Sequence, residues 1–289
     1  MHSRYALLAS QATTATFVLL WGSAAIFTRW GLDNASPMAL LVFRFLIALL
    51  ALLPLAILRK RWLPARGTRL QVIISGLMLI GGYSVCYFEA MAHGVTPGLI
   101  ATIMGIQPIL TLCVVERRLQ GIRLLGLLLA LAGLVLLVWR SLAASQMAVS
   151  GIIFALAALL LMTFGAILQK RSRQAPVDVL PLQYLVSLLL CLFMAPVSGF
   201  YVHFSAGFII PVLFLGLLIS VVAQLLLYRL LSAGNIVNVT SLFYLVPVIT
   251  ALLDYLMLGN RLPSAAVVGM AAILGGIMLV FRAPKVSAA

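Results

Sequence analysis

Apolar runs of roughly 18–25 residues follow one another through this chain with only short polar joints between them, which leaves few folds open to it. A helix of that length crosses a hydrocarbon layer of about 30 Å, whereas a membrane barrel would show alternating segments of about ten residues. The runs predict ten helices, at about 11–32, 37–58, 70–91, 95–115, 122–139, 149–171, 179–201, 207–232, 236–257 and 264–282. With 64% apolar and 8% charged residues and a mean hydropathy of +1.22, the chain carries more apolar surface than a soluble domain of its length could bury. The expected fold class is all-α integral membrane. The first run is read as a span and not as a removable signal, because a second full span follows almost at once.

The chain also repeats itself. The stretch His93–Trp139 holds a proline inside an apolar segment, a charged joint and a glycine-punctuated apolar segment, and Ala233–Phe281 holds them again in looser form. Before the joint the offset is 139 residues, pairing Pro108 with Pro247 and Thr111 with Thr250; after it the offset is 143, pairing Arg118 with Arg261, Gly126 with Gly269 and Gly133 with Gly276. The difference of four residues is about one helical turn, so helical phase survives it. The openings echo too: Trp21 pairs with Phe164, Gly22 with Gly165, Pro37 with Pro176, and Arg44 with Gln183. Two halves, 1–143 and 144–289, follow, each expected to hold five helices. Five is odd, so the second half is expected to lie inverted relative to the first, as in secondary transporters with a site near the bilayer midplane.

A net charge of +14 on a soluble protein would suggest nucleic acid, but topology gives the cations a different role. Ten spans put both termini on one side, which collects fifteen of the nineteen Lys and Arg; Arg29, Arg140 and Arg261 fall on the other, and Arg44 lies within a span. The positive-inside rule then makes the first side cytoplasmic, with N- and C-termini inside. The excess charge is an orientation signal aided by anionic membrane lipid, and no nucleic-acid partner is expected. Cys86, Cys113 and Cys191 all fall in apolar segments, and the histidines are scattered without ligand spacing. No nucleotide-binding, hydrolase or metalloprotease fingerprint is present, so neither an enzyme nor a metal or other cofactor is expected.

Helical phase supplies the candidate site. Gly76, Tyr83, Tyr87, Ala90 and Gly94 share one face of the third helix, and Gly216, Ser220, Gln224 and Tyr228 recur at steps of four in the eighth. Gln107 stands beside Pro108 in the fourth; Asn238, Ser241 and Tyr244 precede Pro247 in the ninth. Polar groups inside membrane helices are costly against lipid and face the bundle interior or water. Trp21, beside Gly22 and Ser23 in mid-membrane, is read as a cavity wall. Arg44 has two readings, a snorkelling or structurally bonded cation and a partner for an anionic substrate group. An aromatic wall carrying hydroxyls and amides suits a small zwitterion with an aromatic or apolar side chain. The candidate substrate-binding residues are thus Trp21, Arg44, Tyr83, Tyr87, Gln107, Phe164, Gln183, Gln224 and Tyr244. Pro108 and Pro247 are candidate gates, since each frees a backbone carbonyl and lets its helix bend. The glycines of the fifth and tenth helices read as a scaffold packed on the bundle or on a second copy, which leaves a homodimer open.

The pattern WGS…P…R over residues 21–44, with the QP…ERRL…G…AG run at 107–133 and its copy at 247–276, resembles the EamA family of the drug/metabolite transporter superfamily. Within it the chain looks most like bacterial aromatic amino-acid exporters of the YddG type. The resemblance implies a multi-pass carrier of the bacterial inner membrane, exporting amino acids or similar small metabolites by alternating access, with helices five and ten outside the central cavity. The joint departs from the family's Gly-Glu-Arg-Leu: the first copy lacks the Gly, and the second reads Gly259-Asn260-Arg261-Leu262 without the acid. The alternatives are a proton-coupled drug or metabolite antiporter, a channel, and a lipid-linked-sugar flippase. Only Glu89 and Asp254 among five acids lie within spans, and neither is near the midplane. Uniport is therefore the expectation, with Glu89 the proton carrier if antiport operates.

Overall fold

The computed structural model describes residues 2–59, 63–116, 120–139, 148–258 and 263–282; for residues 2–11, 198 and 253–258 it describes the backbone alone. The described chain is helical, with one isolated bridge between Ala35 and Val202. In chain order the helices are α1 (His2–Leu32), α2 (Pro37–Leu58), α3 (Arg69–Ala92), α4 (Pro97–Val115), α5 (Gly121–Leu137), α6 (Val149–Lys170), α7 (Pro176–Ser198), α8 (Ala206–Ala233), α9 and α10 (Ser264–Arg282). α9 joins Ile236–Ser241 to Leu245–Leu258 through a 3-10 turn, Leu242–Tyr244. Among the described residues eight helices are long and apolar enough to cross a membrane; α5 and the stretch Ile236–Leu252 of α9 are apolar but shorter. Arg117, Arg118, Arg140 and Arg261 lie outside the described residues.

Local chemistry sets the helix ends. α2 and α4 open on Ser36-Pro37 and Thr96-Pro97, where the hydroxyl caps the first turn and proline, which has no amide hydrogen, occupies the first helical position. Asn235, which the repeat offset pairs with Thr96, caps α9 through the amides of Val237 and Asn238. At one end of the bundle, Ser36 N donates to Tyr201 O and His203 N to Asn34 O, tying the α1–α2 joint to the α7–α8 joint. At the other end Gln174 bonds Ala65 N and Thr68 Oγ1, each at 2.8 Å. There Lys170 Nζ donates to Leu231 O and Gly234 O, placing a cation on the carbonyl end of α8. Arg59, Arg69, Lys170, Arg171, Arg173 and Arg229 all belong to this second, cation-rich end.

α3 and α8 are not uniform helices. Each contains a π segment, Leu77–Gly82 and Phe214–Ala223, positions the repeat makes equivalent. A π turn holds more residues than an α turn and rotates the face that follows it. The expected single stripe along the third helix therefore splits at this segment: Gly76, before it, packs on Gln183 of α7, while Tyr87, after it, packs with Ala90 and Met91. In α8, Gly216 packs against Ile47 and the carbonyl of Arg44.

α5 and α10 lie against each other. A Cβ on Gly126 would sit 2.6 Å from Gly276 O, and one on Gly133 would sit 2.6 Å from Gly269 O. Only glycine permits this approach, and the pairing of early with late residues makes the two helices antiparallel. Without a hydrophobic force between helices in lipid, backbone contact of this kind supplies the association through dispersion. The glycine faces are thus used within one chain.

Candidate functional site

α4 is broken near its middle. Pro108, at the start of the segment Gln107–Val115, has no amide to offer the carbonyl of Met104, and the chain passes through Gly105–Ile106 before the helix resumes. Pro247 likewise frees the carbonyl of Phe243, where α9 carries its 3-10 turn. The two breaks touch: Tyr244 Oη donates to Gly105 O at 2.5 Å, across residues that the 139-residue offset makes equivalent.

Beside this crossing lies a cavity of about 900 Å³. Its walls come from α1 (Trp21, Ala24, Thr28), α3 (Tyr83, Ser84, Tyr87, Phe88), α4 (Ala101, Met104, Gln107) and α9 (Phe243, Pro247, Thr250). Pro97, Trp139 and Pro263 to Ala266 stand at its mouth, so it opens at the end opposite the cation-rich one. Gln107 is ten residues into α4, which puts the inner end of the cavity about 15 Å below the mouth.

Its walls are aromatic. The Trp21 ring sits 5.2 Å from Phe17 and 5.4 Å from Phe243, the latter edge to face, and the Tyr83 and Tyr87 rings are 5.7 Å apart. Arg44 enters from α2. Its guanidinium carbon lies 5.6 Å from the Phe45 ring centre and 5.8 Å from that of Phe88, and its Nε donates to Ser220 Oγ of α8 at 2.8 Å. No carboxylate forms an ion pair with it among the described residues. A structural bond fixes Arg44 Nε, as one of the two sequence readings expected, while the side chain lines the cavity. Gln107 is almost fully buried, and its Nε2 has no hydrogen-bond partner. An arginine and an amide donor among aromatic rings can hold a carboxylate or comparable anionic group, with an apolar body laid on the rings.

Four sequence candidates lie elsewhere. Phe164 is 43% exposed on the outer surface of α6. Its neighbour Gly165 packs on Leu79 of α3, whereas the equivalent Gly22 packs on Ile249 of α9, so the rotation that aims Trp21 inward aims Phe164 outward. Gln183 is fully buried at the cation-rich end, where its Nε2 donates to Ser75 Oγ at 2.8 Å and Gln169 Oε1 at 2.9 Å and its Oε1 accepts from Tyr228 Oη at 2.8 Å. Gln224 is buried on the same α8 face as Tyr228 and does not line the cavity. Tyr244 spends its hydroxyl on Gly105. Phase identified these residues as interior; it could not say which half of the interior is open. Of the gate candidates, Pro247 lines the cavity and Pro108 is buried. Glu89 sits off the cavity, 3.7 Å from His93 Nδ1, and the Asp254 side chain lies outside the described residues. Ser220 and Phe88, which hold Arg44, were not singled out as ligands of anything; the i+4 polar stripe of α8 signalled Ser220, and no pattern signalled Phe88.

No group of three or more metal-ligating side chains occurs among the described residues. A solved protein structure superposes on 94% of this chain and 96% of its own, with a TM-score of 0.80 at 20% identity, which is a likeness of fold. The Escherichia coli K12 protein named "Uncharacterized inner membrane transporter YedA" is 30% identical over 124 residues, and its counterpart from E. coli O157:H7 matches equally. That match spans 41% of this chain and 40% of the relatives' length. The profile of the EamA-like transporter family matches twice, over residues 11–139 and 149–282, the two helical halves on either side of the α5–α6 joint. The chain therefore belongs to the EamA-like transporter family, within the drug/metabolite transporter superfamily.

Proposed function

We propose that this protein exports small metabolites with an anionic group and an apolar or aromatic body, amino acids foremost, from the bacterial cytoplasm by alternating access. The observation that carries the reading is Arg44, held by Ser220 and two aromatic rings and presented to an aromatic cavity. Ten spans in two inverted five-helix halves, 1–143 and 144–289, provide the means. Support for inversion comes from the reciprocal antiparallel contacts Gly126–Gly276 and Gly133–Gly269, from the equivalent π segments, and from Gly76 meeting Gln183 where Gly216 meets Arg44. The cation-rich end faces the cytoplasm by the positive-inside rule, and the relatives are named for the inner membrane. In this frame the cavity is open to the outside, and the Gln183 network closes the inside.

Counterflow in proteoliposomes tests the reading. Labelled phenylalanine or tryptophan should enter faster when the same amino acid is preloaded, and Arg44→Gln should lower the rate about tenfold or more, the value of one charge-assisted hydrogen bond. Uptake that ignores the preloaded solute would indicate a pore, and unchanged rates in Arg44→Gln would remove the anion site. For energy coupling, the proposal is uniport: Glu89→Gln should keep the rate, and accumulation driven by a pH step and lost in that variant would establish proton antiport instead.

A further inference from the structure

A second cavity, of about 380 Å³, lies on the outside of the bundle at the cation-rich end. Three elements build it. Arg59 closes the C-terminus of α2, Ala175 to Val177 form the first turn of α7, and Val222, Leu225, Leu226 and Arg229 lie along one face of α8. The spacing 222, 225, 226 and 229 is a single helical stripe, apolar toward the middle of the bundle and cationic at its end. Arg229 is one turn inside the end of α8, about 6 Å along the axis. That is headgroup depth for a helix that spans a bilayer, with acyl-chain depth beneath it.

We infer that this pocket binds the phosphate of an anionic phospholipid between Arg59 and Arg229, with an acyl chain against Val222, Leu225 and Leu226. Charge favours it. Arg59 is half exposed and lies 3.7 Å from Asp178, a separation longer than a hydrogen bond, while Arg229 has no carboxylate in ion-pair range among the described residues. Asp178 offsets one cation and leaves the other. The first turn of α7 adds one amide: Ala175 provides no capping side chain, Pro176 has no amide hydrogen, Asp178 N donates to Ala175 O, and Val177 N is left without an intrahelical acceptor. Shape favours it as well, because a free anion has no use for a wall of valine and leucine that continues toward the membrane core. Basic pockets between membrane helices on the cytoplasmic side are the expected setting for such headgroups.

A lipid here would have a mechanical effect. It would join α2 to α8 at their cytoplasmic ends, the same two helices that Arg44 and Ser220 join at mid-membrane.

The test uses the full chain in nanodiscs and in detergent. Native mass spectrometry on protein extracted from mixed phosphatidylglycerol and phosphatidylcholine should retain phosphatidylglycerol in preference to phosphatidylcholine. Arg59→Gln and Arg229→Gln should each weaken retention roughly fivefold, and the pair about 25-fold. Arg171→Gln/Arg173→Gln removes as many charges from the same end and should leave retention unchanged. Glycerol 1-phosphate and inorganic phosphate at millimolar concentration should fail to displace the lipid. Equal losses in the two double variants would reduce the effect to general surface charge and overturn the site; displacement by inorganic phosphate would make it an anion site without a lipid. Should Arg59→Gln/Arg229→Gln fail to fold, Leu225→Asn/Leu226→Asn reads the acyl wall, and full retention in that variant overturns the proposal equally.

Discussion

Tyr228→Phe removes one oxygen from the closed end of the transporter. Its hydroxyl donates to Gln183 Oε1 at 2.8 Å, and no other donor to that oxygen is seen at a fully buried site. The phenyl ring still fills the space, so the loss is confined to the hydrogen bond. Interhelical hydrogen bonds in membranes are worth about 0.6 kcal/mol on average and up to about 1.7. If the proposed alternating access opens this cation-rich end, water reaches Gln183 and satisfies Oε1 whether or not the tyrosine is present. The whole deficit therefore falls on the closed state and shifts the opening equilibrium about threefold, at most about eighteenfold, toward the state open at that end. Ala166, buried one turn from Gln169 on α6, reports this if replaced by cysteine in a background free of the native thiols. Maleimide labelling of that cysteine in inside-out vesicles should accelerate by the same factor in Tyr228→Phe. Tyr244→Phe, which loses a bond at the α4–α9 crossing and not at an end, should leave labelling unchanged. If labelling is equal in Tyr228→Phe and its parent, the network is packing and not a latch, and the reasoning fails.

Gly133→Ala would put a Cβ 2.6 Å from Gly269 O and force α5 and α10 apart by about half an ångström, which should cost about 1–3 kcal/mol in detergent unfolding. Gly269→Ala presses the same pair, so the double variant should lose less than the sum. Glu116 and Arg123 form a buried ion pair at the α4–α5 joint; Arg123→Met should destabilise the protein by about 3–5 kcal/mol, and adding Glu116→Gln should restore most of it, as read from thermal midpoints. Phe164→Ala, on the outer face of α6, should leave counterflow rates intact, and a loss there would return that residue to the solute path.

The helices and their order were legible because lipid imposes one rule, a long apolar run with its backbone satisfied internally, and the sequence obeys it from Ala12 onward. The repeat was legible because Pro108 and Pro247, and the two glycine pairs, are rare enough to align by eye. Trp21, Arg44, Tyr83, Tyr87 and Gln107 line the cavity, and each is polar or aromatic where lipid would reject it. Gln183, Gln224 and Tyr244 satisfied the same rule and lie buried outside the cavity, since helical phase marks a residue as interior without saying which part of the interior is open. Phe164 failed for a different reason. Its assignment borrowed the phase of Trp21 through the repeat, and the partner of the adjacent glycine changed from α9 to α3. The π segments of α3 and α8 add a rotation that constant-period counting cannot anticipate.

α5 has 17 residues and α10 has 19, which give rods of about 25 and 28 Å against a hydrocarbon layer of about 30 Å. Both present bare apolar flanks: Leu125, Leu128, Val268 and Met278 are all exposed. The backbone contacts at their glycines leave the pair no freedom to stretch, so the adjoining lipid must shorten, at a cost of a fraction of a kcal/mol for each ångström. The protein is thus set in a dimple on one flank. Membranes with short acyl chains relieve that strain and thick, sterol-rich ones increase it, so bilayer thickness acts on this protein through two helices that reach the mouth of its cavity.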